Sequence, residues 1–163
     1  MFSVETRPNA SAAELHAALL EQARALLAGE RDATANAANL AALIFHTLPD
    51  LNWAGFYWMK GAELVLGPFQ GKPACVRIAV GKGVCGTAAR DRRTVVVRDV
   101  HEFPGHIACD SASNSELVVP VLKNGVVVGV LDLDSPKLAR FDERDGRALE
   151  TLAALYVEST DLP

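Results

Sequence analysis

The sequence of 163 residues lacks the features of a membrane protein or a nucleic-acid-binding protein. No apolar run approaches the roughly 18 residues that a membrane-spanning helix needs. Its 16 Lys and Arg residues form no dense cluster, and the net charge is −4. Electrostatic binding to a nucleic acid or an anionic membrane is therefore not expected. The first residues also lack the charged and apolar regions of a signal peptide. We expect a soluble, cytoplasmic protein.

Cysteine is scarce, with only Cys75, Cys85 and Cys109 in the chain. An odd number excludes a framework in which every cysteine is paired, and cytoplasmic thiols stay reduced unless chemistry oxidises them. The spacings contain no C-x-x-C, which argues against a zinc ribbon and a thioredoxin-type motif. His101 and His106 could join the thiols as zinc ligands, but they show no ligand spacing, so no metal is expected.

Repeats, low-complexity tracts and linkers are also missing, so residues 1–163 are expected to form a single domain. Half of the residues are hydrophobic and 22% are charged, which is enough apolar surface for a sizeable core. Ser11 with Glu14 has capping-box spacing, and Asp32 and Asp142 can each cap a later helix. A short helix is expected over residues 83–90. Strands are expected over residues 51–59, 63–66, 76–80, 94–97, 116–122 and 126–134.

This order of helices, meandering strands and a closing helix predicts an α+β fold on a mostly antiparallel sheet. The Asn124-Gly125 turn is a strong hairpin signal between the last two strands. Residues 99–114 contain Gly, Pro, His and Ser without any period. We interpret them as a loop of functional length.

A glycine motif at residues 81–86 fits G-x-G-x-x-G, which also occurs in dinucleotide-binding proteins. A dinucleotide site needs a helix that crosses to a parallel strand, and the strands expected here are antiparallel. The simpler interpretation is a tight turn from strand to helix. Such a turn would place Cys85 near a helix N-terminus, where a thiolate is favoured.

Two carboxylates end the last strand. Strand alternation puts Asp132 and Asp134 on one face, roughly 7 Å apart. If that face is buried, desolvation and mutual repulsion raise their pKa values, and one acid can hold a proton at neutral pH. Glu116 opens the neighbouring strand and could join them. The alternative is that the strand emerges into solvent at Asp132 and that the acids are ordinary surface groups.

Reactivity is favoured for Cys109, which lies in the long loop between polar residues. Cys75, beside Val76 and Ile78, suits a small buried hydrophobe better. Trp53 and Tyr57 fall on one face of the first strand. They are either ordinary core residues or the walls of a pocket for a small apolar group.

Four stretches together resemble the GAF-domain free methionine-(R)-sulfoxide reductases. They are residues 81–89, 103–110, 115–120 and 129–135, and residues 52–57 and Phe141-Asp142 match as well. The resemblance covers nearly the whole chain. Its three-cysteine pattern is specific, because GAF domains that only sense ligands have no reason to keep it.

The resemblance implies a GAF-like fold with a six-stranded antiparallel sheet and helices on both sides, often in a homodimer. It implies reduction of free L-methionine-(R)-sulfoxide to methionine without a metal or an organic cofactor. By position, Cys109 matches the attacking cysteine and Cys75 the usual resolving cysteine. Cys85 matches a third cysteine that pairs with Cys109 in some members, so the resolving residue stays open between Cys75 and Cys85.

The resemblance also implies the substrate contacts. Glu116, Asp132 and Asp134 match acids that bind the sulfoxide oxygen and the amino group, and Trp53 and Tyr57 match aromatic walls around the methyl group. Acids with raised pKa values would supply protons as the thiolate attacks sulfur. The resulting sulfenic acid would condense to a disulfide, which thioredoxin would reduce. The alternative function is a GAF sensory module that binds a small effector without catalysis.

Overall fold

The computed structural model of the chain describes residues 2–5, 9–107 and 110–162. This part of the chain forms one six-stranded sheet with helices on both faces, as predicted. Its strands are β1 (Trp53–Lys60), β2 (Glu63–Gly71), β3 (Arg77–Ala79), β4 (Val95–Val97), β5 (Ser115–Lys123) and β6 (Val126–Ser135). Their order across the sheet is β3-β2-β1-β6-β5-β4. Every neighbouring pair is antiparallel.

Three of the four α-helices in the described ranges begin where the sequence predicts caps. The helices are α1 (Ala12–Leu27), α2 (Ala33–Thr47), α3 (Gly83–Asp91) and α4 (Glu143–Glu158), with a short 3-10 helix at Val100–Glu102. Ser11 and Glu14 form the capping box of α1, Asp32 caps α2, and Asp142 caps α4. Each cap satisfies backbone N–H groups that would otherwise lack a partner at the helix start. None of the helices in the described ranges is long and apolar enough to cross a bilayer.

The two faces of the sheet build separate cores because side chains alternate along each strand. One core lies between the sheet and α1, α2 and α4, and includes Phe56, Leu117 and Leu131. The other lies between the sheet and α3, and includes Tyr57 and Val130. This second face is smaller, since α3 is only nine residues long. The space that α3 leaves uncovered is where polar side chains collect.

The prediction for β2 was too short. A strand was expected over residues 63–66, but β2 continues to Gly71. Proline removes a backbone donor and is tolerated only where the strand needs none. The register of β2 with β3 covers residues 63–65 alone. On the other side of β2, the register with β1 shifts between Leu66 and Phe69, so Gly67 and Pro68 lie in a bulge, where the ladder needs no donor from Pro68.

The glycine motif forms the tight turn expected of it, in a sheet whose described strand pairs are all antiparallel. The Gly81 amide donates to the Gly86 carbonyl at 2.7 Å, which folds the start of α3 back onto the end of β3. A Cβ atom at Gly86 would lie 2.4 Å from the carbonyl oxygen of Ala79, so only glycine fits there. The turn fixes where α3 begins, and with it the position of Cys85.

Candidate functional site

A pocket of about 530 Å³, counting its open mouth, lies on the α3 face of the sheet. We call it the acidic pocket. The residues that define it are Trp53, Tyr57, Lys72, Cys85, His106, Asp110, Ser113, Glu116, Asp132 and Asp134. They come from β1, β5, β6, α3 and two connections. All the acids and aromatic residues proposed from the sequence therefore meet in one cavity.

Strand register brings the three acids together. Glu116 of β5 lies directly opposite Asp134 of β6, while Asp132 lies opposite Val118, two residues along the same face of β5. Glu116 and Asp132 are each only 6% exposed. The interpretation in which the strand emerges into solvent at Asp132 is therefore wrong.

The aromatic wall runs along β1, the strand on the other side of β6. Trp53 lies opposite Asp134 and Tyr57 lies opposite Val130. The two rings stack at a centroid distance of 5.8 Å. Between them Gly55 faces Asp132, and a Cβ atom there would lie 2.7 Å from the Trp53 ring. The missing side chain makes room for the indole, so the wall is both aromatic and close to the acids.

Cys85 lies at the bottom of the same cluster. Its sulfur is 4.0 Å from Oε1 of Glu116, and the residue is 3% exposed. It is the third residue of α3, where a helix N-terminus alone would favour a thiolate. Burial, followed by the charges of Asp132 and Glu116, instead raises its pKa well above the usual value. The expectation of a thiolate at Cys85 is wrong, because desolvation and like charge outweigh the helix dipole.

The pKa values of the three carboxyl groups are higher than those of carboxyl groups in water. Burial raises the pKa of both Glu116 and Asp132 well above the usual range, and the neighbouring Asp134 adds to each. The pKa of Asp134 rises to about 6, again mainly through burial, against a hydrogen bond from Ser113 that lowers it. This cluster therefore keeps its protons to a higher pH than isolated carboxylates do.

Asp132 also has an unused oxygen. Its Oδ1 atom is buried and has no hydrogen-bond partner within the described part of the chain. A buried polar atom without a partner costs roughly 1–3 kcal/mol. Such an atom in a pocket is satisfied when a ligand arrives, so Asp132 is prepared to bind a polar group.

The aromatic residues Trp53 and Tyr57 form hydrogen bonds with the backbone of the β2–β3 connection, which contains Cys75. The Trp53 indole N–H donates to the Lys72 carbonyl at 3.2 Å, and the Tyr57 hydroxyl donates to the Cys75 carbonyl at 3.0 Å. Cys75 is partly exposed and disulfide-bonded, while Cys85 is a free thiol. The interpretation of Cys75 as a fully buried core residue is therefore wrong, since it is only partly buried against the second core, next to Ala74 of the pocket lining.

A polar network that the sequence analysis missed holds the other rim. The Asn52 side-chain amide donates to Oγ of Ser113 at 3.0 Å and to Oδ2 of Asp110 at 3.3 Å. Lys72 forms an ion pair with Asp110 at 3.4 Å. The available signal was the position of Asn52, directly before the aromatic strand. The network ties the long loop to β1 and to the β2–β3 connection.

Other predicted residues fall near this rim or outside the description. His106 lines the pocket, with Nε2 3.6 Å from Oε2 of Glu116. His101 instead contacts Asn114 through its Nε2 atom, at 3.1 Å. Cys109, the predicted nucleophile, lies outside the described residues.

The arrangement suits a small, amphipathic ligand. One wall is aromatic, and the opposite wall can both donate protons and accept hydrogen bonds. Glu116, Asp132 and Cys85 also place one potential metal-ligand atom each within 4.8 Å of one another.

The raised pKa values predict an inverted pH dependence of stability. A carboxyl whose pKa is higher in the folded protein than in the unfolded chain stabilises at low pH, and this contribution is lost as the pH rises through the folded pKa. Asp132→Asn removes one such group. Relative to wild type, we expect the variant to gain at least about 1 kcal/mol of unfolding free energy between pH 5 and pH 8, as urea titrations would measure.

Asp142→Asn is the matched control. A hydrogen bond from Arg144 lowers the pKa of Asp142 to about 2, so its stabilisation is complete above the unfolded value and is lost only in acid. The difference between this variant and wild type should stay constant from pH 5 to pH 8. An equally flat difference for Asp132→Asn would contradict the raised pKa.

Comparisons with known proteins agree with this architecture. The GAF domain family matches residues 34–158. The chain is 51% identical over 141 residues to the free methionine-R-sulfoxide reductase of Escherichia coli, covering 86% of each chain. It is 44% identical over 159 residues to the enzyme of the same name from Saccharomyces cerevisiae, covering 93% of this chain and 88% of the relative.

A solved structure gives the same result. The free methionine-R-sulfoxide reductase of Neisseria meningitidis, in complex with its substrate, is 43% identical and superposes with a TM-score of 0.93. The match covers 98% of this chain and 95% of that one. With the fold, the family match and these relatives in agreement, the chain belongs to the GAF-domain family of free methionine-R-sulfoxide reductases.

Proposed function

We propose that this protein reduces free L-methionine-(R)-sulfoxide to L-methionine, with Cys109 as the nucleophile. The observation that carries the proposal is the cluster of buried carboxyl groups facing an aromatic wall in the acidic pocket. The named activity of the relatives in Escherichia coli and Saccharomyces cerevisiae supports it. A module that only senses a ligand has no need to hold carboxyl protons beside a thiol.

The pocket chemistry matches each part of the substrate. Trp53 and Tyr57 offer apolar ring surface to the methyl group on sulfur. Burial raises the pKa values of Glu116 and Asp132 well above the usual range, so these carboxyl groups can donate to the sulfoxide oxygen. Asp134, with a pKa of about 6, is the acid that ionises most readily and can accept from the substrate ammonium group.

The reaction needs both a nucleophile and a proton source. The sulfur of Cys109 attacks the sulfoxide sulfur, and a carboxyl proton moves to the sulfoxide oxygen, which is a poor leaving group until it is protonated. Oxygen passes to Cys109 as its sulfenic acid, and methionine leaves. Substrate sulfur is reduced by two electrons, and the cysteine sulfur is oxidised by two.

A second thiol then removes the oxygen as water. We assign this step to Cys75, whose sulfur condenses with the sulfenic acid to give a disulfide. The disulfide bond of Cys75 and the free, buried state of Cys85 support this choice. A dithiol reductant of the thioredoxin type restores both thiols by exchange. Cys75 at the pocket edge is better placed than Cys85 to meet such a partner.

Thiol counting tests the overall reaction. One equivalent of free methionine sulfoxide, taken as the R epimer, should release one methionine from the reduced protein and consume two thiols. Cys109→Ser should release no methionine and lower turnover by at least about 1,000-fold, because the nucleophile is gone. Amino-acid analysis with a thiol reagent measures both quantities. Substrate binding with all three thiols intact would instead support the sensory-module alternative.

A pair of serine variants separates the two remaining cysteines. Cys75→Ser should release methionine once and then stop with thioredoxin, because Cys109 stays a sulfenic acid that dimedone can trap. Cys85→Ser should still form the disulfide and turn over repeatedly. If Cys85→Ser accumulates the trapped sulfenic acid while Cys75→Ser cycles normally, the assignment of Cys75 is wrong.

A further inference from the structure

Cys85 is the nucleophilic group that the proposed reaction leaves without a task. Its sulfur and the carboxyl oxygens of Glu116 and Asp132 lie within 4.8 Å of one another, and all three residues are buried. They stand on α3, β5 and β6, so packed secondary structure fixes their positions. Sites built on such elements are more precise than sites built on loops.

The spacing is close to that of a metal site. Ligand atoms around a tetrahedral zinc ion, with bonds of about 2.0–2.3 Å, are separated by roughly 3.5 Å. The distance from Sγ of Cys85 to Oε1 of Glu116 is 4.0 Å. Side-chain rotation that moves the sulfur and the oxygen closer by less than about 1 Å would give them the separation of two ligand atoms on one zinc ion.

A second observation points to a ligand at this place. Oδ1 of Asp132 is buried without a hydrogen-bond partner in the described ranges, and Asp132 lines the acidic pocket. Two carboxyl groups and a thiol gathered in one low-dielectric cluster repel one another once ionised. A divalent cation would both fill the unused coordination site and offset that repulsion.

We propose that the acidic pocket binds a thiophilic divalent cation of the zinc class through Cys85, Glu116 and Asp132. The donor set of one sulfur and two carboxylate oxygens suits zinc or cadmium better than magnesium or calcium, which bind oxygen alone. The fourth position can take water or His106, whose Nε2 lies 3.6 Å from Glu116. Coordination displaces the thiol proton of Cys85 and the protons held by Glu116 and Asp132, and these protons pass to solvent.

Because the ligands belong to the acidic pocket, the cation and the amino-acid substrate exclude each other. This consequence rests on the proposed function. The cation is therefore an inhibitor of the reaction and supplies none of its chemistry.

Cadmium is the direct probe, since a cadmium–thiolate bond absorbs in the ultraviolet. In the full-length Cys75→Ser/Cys109→Ser protein, Cys85 is the sole thiol. Titration with Cd²⁺ should produce a charge-transfer band that saturates at one ion per chain. Adding Cys85→Ser should abolish the band, and adding Glu116→Gln should weaken Cd²⁺ binding at least about tenfold.

Glu63→Gln serves as the matched control in the same background. Glu63 is a half-exposed carboxylate outside the acidic pocket that pairs with Arg77, and its loss should change Cd²⁺ affinity less than about twofold. Circular dichroism of every variant checks that the fold is retained. A missing band in the folded Cys75→Ser/Cys109→Ser protein overturns the site. An equal change in Cd²⁺ affinity on Glu116→Gln and on Glu63→Gln overturns it as well.

Competition tests the overlap with the substrate. Free methionine sulfoxide should lower the apparent Cd²⁺ affinity in the same double variant, and unchanged affinity at saturating substrate would contradict a shared pocket. Wild-type turnover in the presence of a chelator is measured separately. Loss of the metal site therefore leaves the reductase proposal standing, and absence of turnover leaves the metal site standing.

Discussion

Crowding of three carboxyl groups on one desolvated face of a sheet is the constraint on which the rest of the site depends. Glu116, Asp132 and Asp134 lie there because β5 and β6 are in register and because alternation sends every second side chain to that face. Water would relieve their repulsion, but α3 and the aromatic wall restrict it. Protonation of the carboxyl groups removes the repulsion instead, and this is why their pKa values are raised. A fold that keeps this arrangement accepts a stability penalty for a proton-donating pocket.

The larger core, on one face of the sheet, supplies most of the buried apolar surface that stabilises the fold. The opposite face can therefore carry the polar side chains of the site. Helices α1, α2 and α4 pack on one side of the sheet around the larger core, while the shorter α3 packs on the other side around the smaller core. The side chains of Trp53 and Tyr57 have two functions in this face. Their rings form the pocket wall, and their polar ends hold the backbone at Lys72 and Cys75. The proposed substrate contacts and the position of the proposed resolving cysteine therefore depend on the same two residues.

Much of this was predictable where a short-range rule determines the outcome. Capping chemistry fixed the starts of α1, α2 and α4, and period-two alternation put Asp132 and Asp134 on one face, as it did Trp53 with Tyr57. The state of Cys85 was not predictable, because local position suggests a thiolate while burial beside acids from two distant strands imposes a thiol. The contacts of Asn52 with Asp110 and Ser113 likewise join segments 58 and 61 residues apart, and no periodicity reports such pairs.

The central claim is that the pocket holds carboxyl protons at neutral pH. Carbon-13 NMR of the reduced protein, labelled at the Asp and Glu carboxyl carbons and titrated from pH 4 to pH 9, observes those protons directly. Glu116→Gln and Asp132→Asn assign the two signals. The account predicts that both remain at protonated positions at pH 7, with Asp134 titrating near pH 6. Midpoints near pH 4 for all three groups, as for carboxylates in water, would contradict it.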